Sequence, residues 1–172
     1  MKGIIMLRKT GSFVIFFLIV LAFPVLSQQF SSKTLSLETL RYDLDVKVDY
    51  ATKKILGRCR LTVHNPTDQP ISHVPLLLYR LLKITAITDE QGMAIPYRQE
   101  VISFEDWEEI QVNCAEASLS KPLGSSQSIT LDIDYHGFLF GYSNDGWMYV
   151  KDHIDKEFTF IRWDGFGYPV VG

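Results

Sequence analysis

Residues 42–50 are Tyr42-Asp43-Leu44-Asp45-Val46-Lys47-Val48-Asp49-Tyr50, in which apolar and charged side chains alternate without a break. A period of two is typical of a β-strand with one face in the core and the other in water. Residues 129–136, Ile-Thr-Leu-Asp-Ile-Asp-Tyr-His, repeat this pattern. Both segments therefore predict an antiparallel sheet that is wet on one side.

Further strand-like segments follow at short intervals. The sequence predicts strands at 55–63, 71–79, 82–88, 95–97, 101–104, 107–114, 147–150 and 158–163. Turn-forming residues predict loops at 65–70 and 120–126. Residues 31–40 are the only short candidate for a helix, and the Ser and Thr residues in this segment weaken its helical pattern. Roughly eight to ten short strands predict an all-β fold, an antiparallel β-sandwich.

The first 27 residues form a separate segment with the features of an export signal. Lys2, Arg8 and Lys9 precede an apolar run over 13–23, and Pro24 interrupts it before Ser27. This pattern predicts a signal peptide at 1–27, and the alternative is an uncleaved membrane anchor. We expect an exported protein with a linker at 28–40 and a sandwich domain at 41–172.

Charge separates the leader from the rest of the chain. The leader has 3 of the 17 basic residues and none of the 20 acidic ones, so the remaining 145 residues have a formal charge of −6. An acidic surface without a basic patch disfavours nucleic-acid binding. Any membrane contact is expected only through an uncleaved leader.

The sequence lacks the usual catalytic motifs. None of its histidines, His64, His73, His136 and His153, belongs to an H-E-x-x-H motif, and there is no G-x-S-x-G motif. We interpret His64 and His73 as solvated loop residues. The alternating aspartates of 42–50 and 129–136 are predicted to lie in water and remain ionised. The sequence predicts no catalytic residue, metal ligand or cofactor in this chain.

Two cysteines and an aromatic C-terminal segment leave alternatives open. Export permits a Cys59–Cys114 disulfide, whereas their positions on apolar strand faces favour buried free thiols. Ten aromatic residues crowd positions 138–168, including Trp147 and Trp163. They are predicted to fill the core or dock on a following domain, and the alternative is a binding groove for a glycan or peptide.

The order of these segments resembles the N-terminal β-domain of the aminopeptidase N family of zinc metallopeptidases, which also includes leukotriene-A hydrolase. The resemblance covers residues 40–172. It rests on the segments 42–49, 56–65, 76–81, 84–87, 122–124 and 129–137, with Gly57 in the second strand and Tyr135-x-Gly137 in a later one.

The resemblance implies a non-catalytic domain that packs on a downstream zinc catalytic domain and borders its peptide cleft. In the family, zinc and the catalytic Glu belong to that later domain, so zinc is expected only there and this chain is expected to be inactive alone. We therefore predict a fragment that stops before the catalytic domain. The alternative is a free-standing secreted binding module for glycan or peptide.

The family's β-domain also contributes a Gln or Glu, shortly before an aromatic-Pro pair, to recognition of the substrate's amino terminus. Tyr168-Pro169 matches the pair, but no Gln or Glu stands at the expected place upstream. Asp164 is the nearby acid and the candidate for substrate binding.

Overall fold

The computed structural model describes residues 37–104, 107–139, 153–154, 157, 159–160 and 165–172. These residues form ten strands and contain no helix. The seven longer strands are β1 (Glu38–Asp49), β2 (Lys54–His64), β3 (Ile71–Tyr79), β4 (Leu82–Asp89), β5 (Tyr97–Phe104), β6 (Trp107–Leu123) and β7 (Ser128–Phe138). The short strands are β8 (His153–Ile154), β9 (Thr159–Phe160) and β10 (Val170–Val171). The all-β prediction is confirmed.

Eight of the strands build two four-stranded antiparallel sheets. Sheet A has the order β1-β2-β7-β4 and sheet B the order β10-β3-β6-β5, while β8 pairs with β9 alone. The inner faces of both sheets contribute to one hydrophobic cluster. This arrangement is the predicted antiparallel β-sandwich.

The core follows from the alternation along each strand. On β2, Ile55, Cys59 and Leu61 have no exposed surface, and the intervening residues Leu56 and Arg58 face outward. Each fully buried aliphatic side chain contributes roughly 1.5–3 kcal/mol through removal of apolar surface from water. The same alternation places the inward residues of β7 and β3 against this row.

The edge strand β1 is buried less than its pattern predicts. Tyr42, Val46 and Val48 are half-buried, and Leu44 keeps 42% of its surface exposed. Since β1 has a neighbour on one side only, its inward residues are covered less well than those of β2. Alternation predicts which face a side chain occupies, but not how fully that face is covered.

The bounds of β1 and β6 differ from the predictions, and the strands predicted at 95–97 and 101–104 correspond to the single strand β5. β1 begins at Glu38, inside the predicted linker and the candidate helix, because Glu38 and Thr39 pair with β2 across a register shift. β6 continues to Leu123 through the predicted loop, because Leu123 pairs with Ile71. Pro122 is tolerated near the strand end, where the missing N–H costs little.

Sheet B is shielded on both faces near its middle. The four consecutive β6 residues 112–115 are all buried, although successive side chains point to opposite faces. On the neighbouring strand β3, Leu76 and Leu78 are buried and Leu77 is half-buried. The apolar run of β3 predicts a strand covered on both sides, and the structure confirms this in part.

The loop after β2 is organised by one buried side chain. Asn65 has no exposed surface, and its Nδ2 donates to the carbonyl oxygens of Gln69 at 2.8 Å and Leu123 at 3.0 Å. Its Oδ1 accepts from the Thr67 amide at 3.0 Å. The predicted loop at 65–70 is therefore held to the end of β6 by a side-chain amide.

Candidate functional site

The outer face of sheet A carries a ladder of arginine–aspartate pairs. Arg58 Nε lies 2.8 Å from Asp134 Oδ1, and Arg60 Nη2 lies 2.7 Å from Asp132 Oδ2. Both pairs connect β2 to β7, whose register places the partners directly opposite each other. The hydrogen bond from Arg60 holds the pKa of the Asp132 carboxyl below its usual range. That carboxylate stays ionised near neutral pH, so it is unsuited to act as a general acid.

A depression on the same face is lined by arginines that pair with aspartates, and also by the carboxylate of Glu90. It has a volume of about 350 Å³ and is lined in part by Arg41, Asp43 and Arg60. Arg41 Nε lies 2.9 Å from Asp43 Oδ2, and Arg60 pairs with Asp132. Exposed pairs of this kind hold their partners weakly, at roughly 0–1 kcal/mol. We interpret this depression as part of the solvated face.

A second groove, of about 200 Å³, lies at the end of the sandwich where β6 finishes. Its lining includes the apolar residues Leu119 and Ile129 and the charged residues Asp89 and Lys121. Asp89 is engaged in its own turn, because its Oδ1 accepts from the amides of Gln91 at 3.0 Å and Met93 at 2.8 Å. Its carboxylate therefore stabilises the β4 turn.

The histidines lie on strands, which corrects their prediction as loop residues. His64 ends β2, and His73 lies in β3 because the strand begins at Ile71, directly after the proline loop. His64 Nδ1 lies 3.2 Å from Ser128 Oγ, and His73 Nδ1 lies 3.3 Å from Ser118 Oγ. Within the described ranges, no three His, Cys, Asp or Glu side chains are grouped so as to hold a metal ion.

Both cysteines are buried and free. Cys59 faces the core from β2, whereas Cys114 pairs in register with Leu77 and Glu100, on the face of sheet B opposite Ala115. Burial raises the pKa of the Cys59 thiol to about 12 and that of the Cys114 thiol to about 11. Neither is an activated nucleophile, and the prediction of buried free thiols is confirmed.

Two glycines of the resemblance lie at close contacts in sheet A. A Cβ atom on Gly57 would lie 2.1 Å from Cζ of Tyr135, so the tyrosine ring occupies the space above the glycine. Gly137 adopts a φ of 156°, and a Cβ there would lie 2.0 Å from the carbonyl oxygen of Leu81. Gly57 and Tyr135, about eighty residues apart in the sequence, thus pack on each other, and close contacts require glycine at both 57 and 137.

Tyr168 joins the end of the chain to β1. Its ring packs edge-to-face on Tyr42 with centroids 5.5 Å apart, and Val170 and Val171 then pair with Leu77 and Leu76 of β3. Asp164, the candidate substrate-binding residue, lies outside the described residues, as do Trp147 and Trp163. Those assignments stay predictions.

No helix long and apolar enough to cross a bilayer occurs among the residues that the structure describes.

No family model matches the chain, and no curated protein matches its sequence. Solved structures of M1 zinc metallopeptidases do match. A mutant of the Deinococcus radiodurans enzyme bound to a Tyr-Ser-Ala substrate is 20% identical, with a TM-score of 0.48 over 63% of this chain and 22% of that one. The unmutated enzyme is 21% identical, with a TM-score of 0.46 over 59% and 20%. A two-domain M1 mutant bound to L-tryptophan is 22% identical, with a TM-score of 0.47 over 62% and 22%.

This chain therefore spans about a fifth of the length of the M1 structures it matches.

Proposed function

We propose that this chain is the non-catalytic N-terminal β-sandwich domain of an exported aminopeptidase N-like zinc metallopeptidase. The observation that carries the proposal is the contact between Gly57 and Tyr135. Both are motif residues of the resemblance, and the fold brings them together in a packing that requires a glycine beneath a tyrosine. A chance likeness of alternating strands would not need this pair.

In this proposal the hydrolytic chemistry belongs to a different domain. The sequence contains no H-E-x-x-H motif, which supplies two zinc ligands and the general base in metallopeptidases of this kind. The aspartates of sheet A pair with arginines, accept hydrogen bonds within turns or lie in water. The sandwich would pack on the catalytic domain and form one wall of the peptide cleft.

The leader supports the exported location. Its basic start, apolar run and proline break are typical of a secretory signal peptide. The two free thiols are compatible with an oxidising compartment, because both are buried in the folded domain.

The proposal is tested first on the DNA beyond the codon for Gly172. We expect an open reading frame with H-E-x-x-H followed by a Glu about two dozen residues later. The extended protein should release amino acids from aminoacyl-nitroanilides in a zinc-dependent reaction, and the 172-residue chain should not.

The matched control is the extended protein with its first H-E-x-x-H histidine replaced by alanine, which should fold and remain inactive. A reading frame without this motif, or metal-dependent turnover by the 172-residue chain, would contradict the proposal.

A further inference from the structure

Among the described residues the two sheets have four edge strands, and the edge of β1 is protected by charge. β1, β4, β5 and β10 each have one hydrogen-bonded neighbour. Unpaired edges invite pairing with other chains, and proteins prevent this with charges, bulges, proline or very short strands. β1 has a register shift between Thr39 and Arg41 and exposed charged residues at alternate positions up to Asp49.

The edge of β4 is covered by a side chain that imitates a peptide group. Gln99 Oε1 accepts from the amide of Ile84 at 3.1 Å, and its Nε2 donates to the carbonyl oxygen of Ile84 at 2.8 Å. Tyr97 Oη donates to the same carbonyl at 3.1 Å. β4 also has a register shift between Ile84 and Ala86. Both polar backbone groups of Ile84 are therefore occupied.

The edge of sheet B at β10 is short. β10 has two residues, Val170 and Val171, and follows Pro169 directly. Such an edge offers too few backbone groups for stable pairing.

From Tyr97 to Ser103, the protection that β5 has is two charged residues of opposite sign, Arg98 and Glu100. The strand pairs with β6 in unbroken register from Tyr97 to Ser103, and it contains neither proline nor lysine. Among the described residues its only strand partner is β6. Val101 keeps 52% of its surface exposed. β5 is therefore a continuous edge with an exposed apolar side chain.

The charges of β5 are complementary to those of a second copy. Arg98 and Glu100 flank Gln99 and face the outer side of sheet B, in register with Glu116 and Cys114. In an antiparallel pairing of two β5 strands centred on Gln99, Arg98 of each copy stands opposite Glu100 of the other. Tyr97 then stands opposite Val101, which is a favourable aromatic and β-branched pair.

We propose that two copies of this chain associate through β5 in this register, so that sheet B continues across a twofold axis. Each copy contributes four strands to the joined sheet. The interface is isologous, since the same residues meet their counterparts on both sides of the axis. Arg98 Nε already lies 2.7 Å from Glu116 Oε2, and Glu100 of the second copy would add a further carboxylate beside this guanidinium. The inference does not depend on the proposed function.

The first test measures self-association by sedimentation velocity of the exported protein. Val101→Lys places an ammonium group on the edge, and it should weaken dimerisation on the order of tenfold or more. Leu40→Lys is the matched control, because Leu40 is 58% exposed on the protected edge strand β1. Leu40→Lys should dimerise like the unmodified protein. A monomer at all concentrations up to about 1 mM would overturn the proposal, as would equal association of the two lysine variants.

The second test exchanges the charges. Glu100→Arg alone brings arginines together across the axis, and Arg98→Glu alone brings glutamates together, so each homodimer should weaken roughly tenfold. A mixture of the two variants should form a heterodimer, since both charge pairs are then restored. Glu116→Gln is the control, because it removes the Arg98–Glu116 contact inside one copy and leaves the pairs between copies.

Hydrogen exchange gives an independent readout of the surface used. Backbone amides of residues 97–103 should exchange more slowly as protein concentration rises, and those of β1 should not. Association without heterodimer preference, or with concentration-dependent protection elsewhere only, would show that another surface or an unrelated partner accounts for it, and would overturn the proposal.

Discussion

The ring of Tyr135 lies directly over Gly57, so that a Cβ atom at position 57 would stand 2.1 Å from Cζ and 2.5 Å from the hydroxyl oxygen. Real Cβ atoms do not approach other atoms this closely. Gly57→Ala must therefore displace a buried ring from a packed core. We expect it to lower the free energy of unfolding by about 1–3 kcal/mol, the usual range for overpacking.

Chemical denaturation measures the loss in free energy of unfolding, and two further variants serve as controls. Gly124→Ala should cost little, because the atoms nearest to its added Cβ belong to the flexible side chain of Gln127. In a Tyr135→Leu background the cost of Gly57→Ala should fall, since the two positions are coupled through the ring. Additive effects would show that the ring is not the obstacle.

Removal of the Tyr135 hydroxyl should not destabilise the protein. Tyr135 is 2% exposed, and its Oη has no hydrogen-bond partner among the described residues. A buried hydroxyl without a partner carries a desolvation penalty, so Tyr135→Phe should leave stability unchanged or raise it by up to about 1 kcal/mol. Tyr97→Phe is the matched comparison, because Tyr97 Oη donates to Ile84, and it should cost about 0.5–1.5 kcal/mol. Thermal or urea unfolding of both variants checks the contrast, and equal losses would contradict it.

We expect the Arg60–Asp132 ion pair to contribute to the stability of the folded protein, and this contribution to be lost in acid. Arg60 lowers the pKa of Asp132 in the folded protein. This contribution is present above the unfolded carboxyl pKa of about 3.9 and is lost as pH falls through the lower folded value. Asp132→Asn should therefore be less stable at pH 7 and should lose stability less steeply below about pH 4.

Urea unfolding at a series of pH values measures how steeply the free energy of unfolding falls in acid. Arg60→Gln should flatten the acid limb in the same way, because it removes the cause of the lowered pKa. The double variant should add nothing further. An unchanged slope in both single variants would show that this pair does not contribute to acid stability.

The cysteines should be inert while the protein is folded. The pKa of Cys59 is raised to about 12 and that of Cys114 to about 11 by burial. At about pH 8 both remain thiols, so a thiolate-selective reagent should label neither until denaturant is added. Mass spectrometry should then count two labelled thiols. Labelling of the native protein, or a disulfide in the denatured one, would contradict the prediction.

Alternation predicts much of this fold because it reports which face a residue occupies. It identifies the inward rows of β2 and β7, and the structure confirms them. Contacts between distant segments give no such local signal. The sequence shows Arg58 and Arg60 two residues apart, and Asp132 and Asp134 likewise, but their pairing depends on the register of β2 with β7.

Strand ends are harder to predict than strand centres, because they too depend on pairing between distant segments. Glu38 and Leu123 lie in polar or proline-containing segments, and they become strand residues only because His64 and Ile71 provide partners nearby. Asn65 likewise resembles an ordinary turn residue in sequence. Its burial depends on β6 ending beside it, where the carbonyl oxygen of Leu123 accepts its hydrogen bond.

The placement of the two thiols on separate sheets sets a condition on biogenesis. Cys59 faces the core from sheet A, and Cys114 lies on the face of sheet B opposite Ala115, so the native fold keeps them apart. An oxidising compartment would act on them only in the unfolded chain, where a Cys59–Cys114 bond would oppose formation of the sandwich. In such a compartment, burial of these strands would have to be faster than oxidation, and a reductant present during refolding under oxidising conditions should raise the yield of native protein.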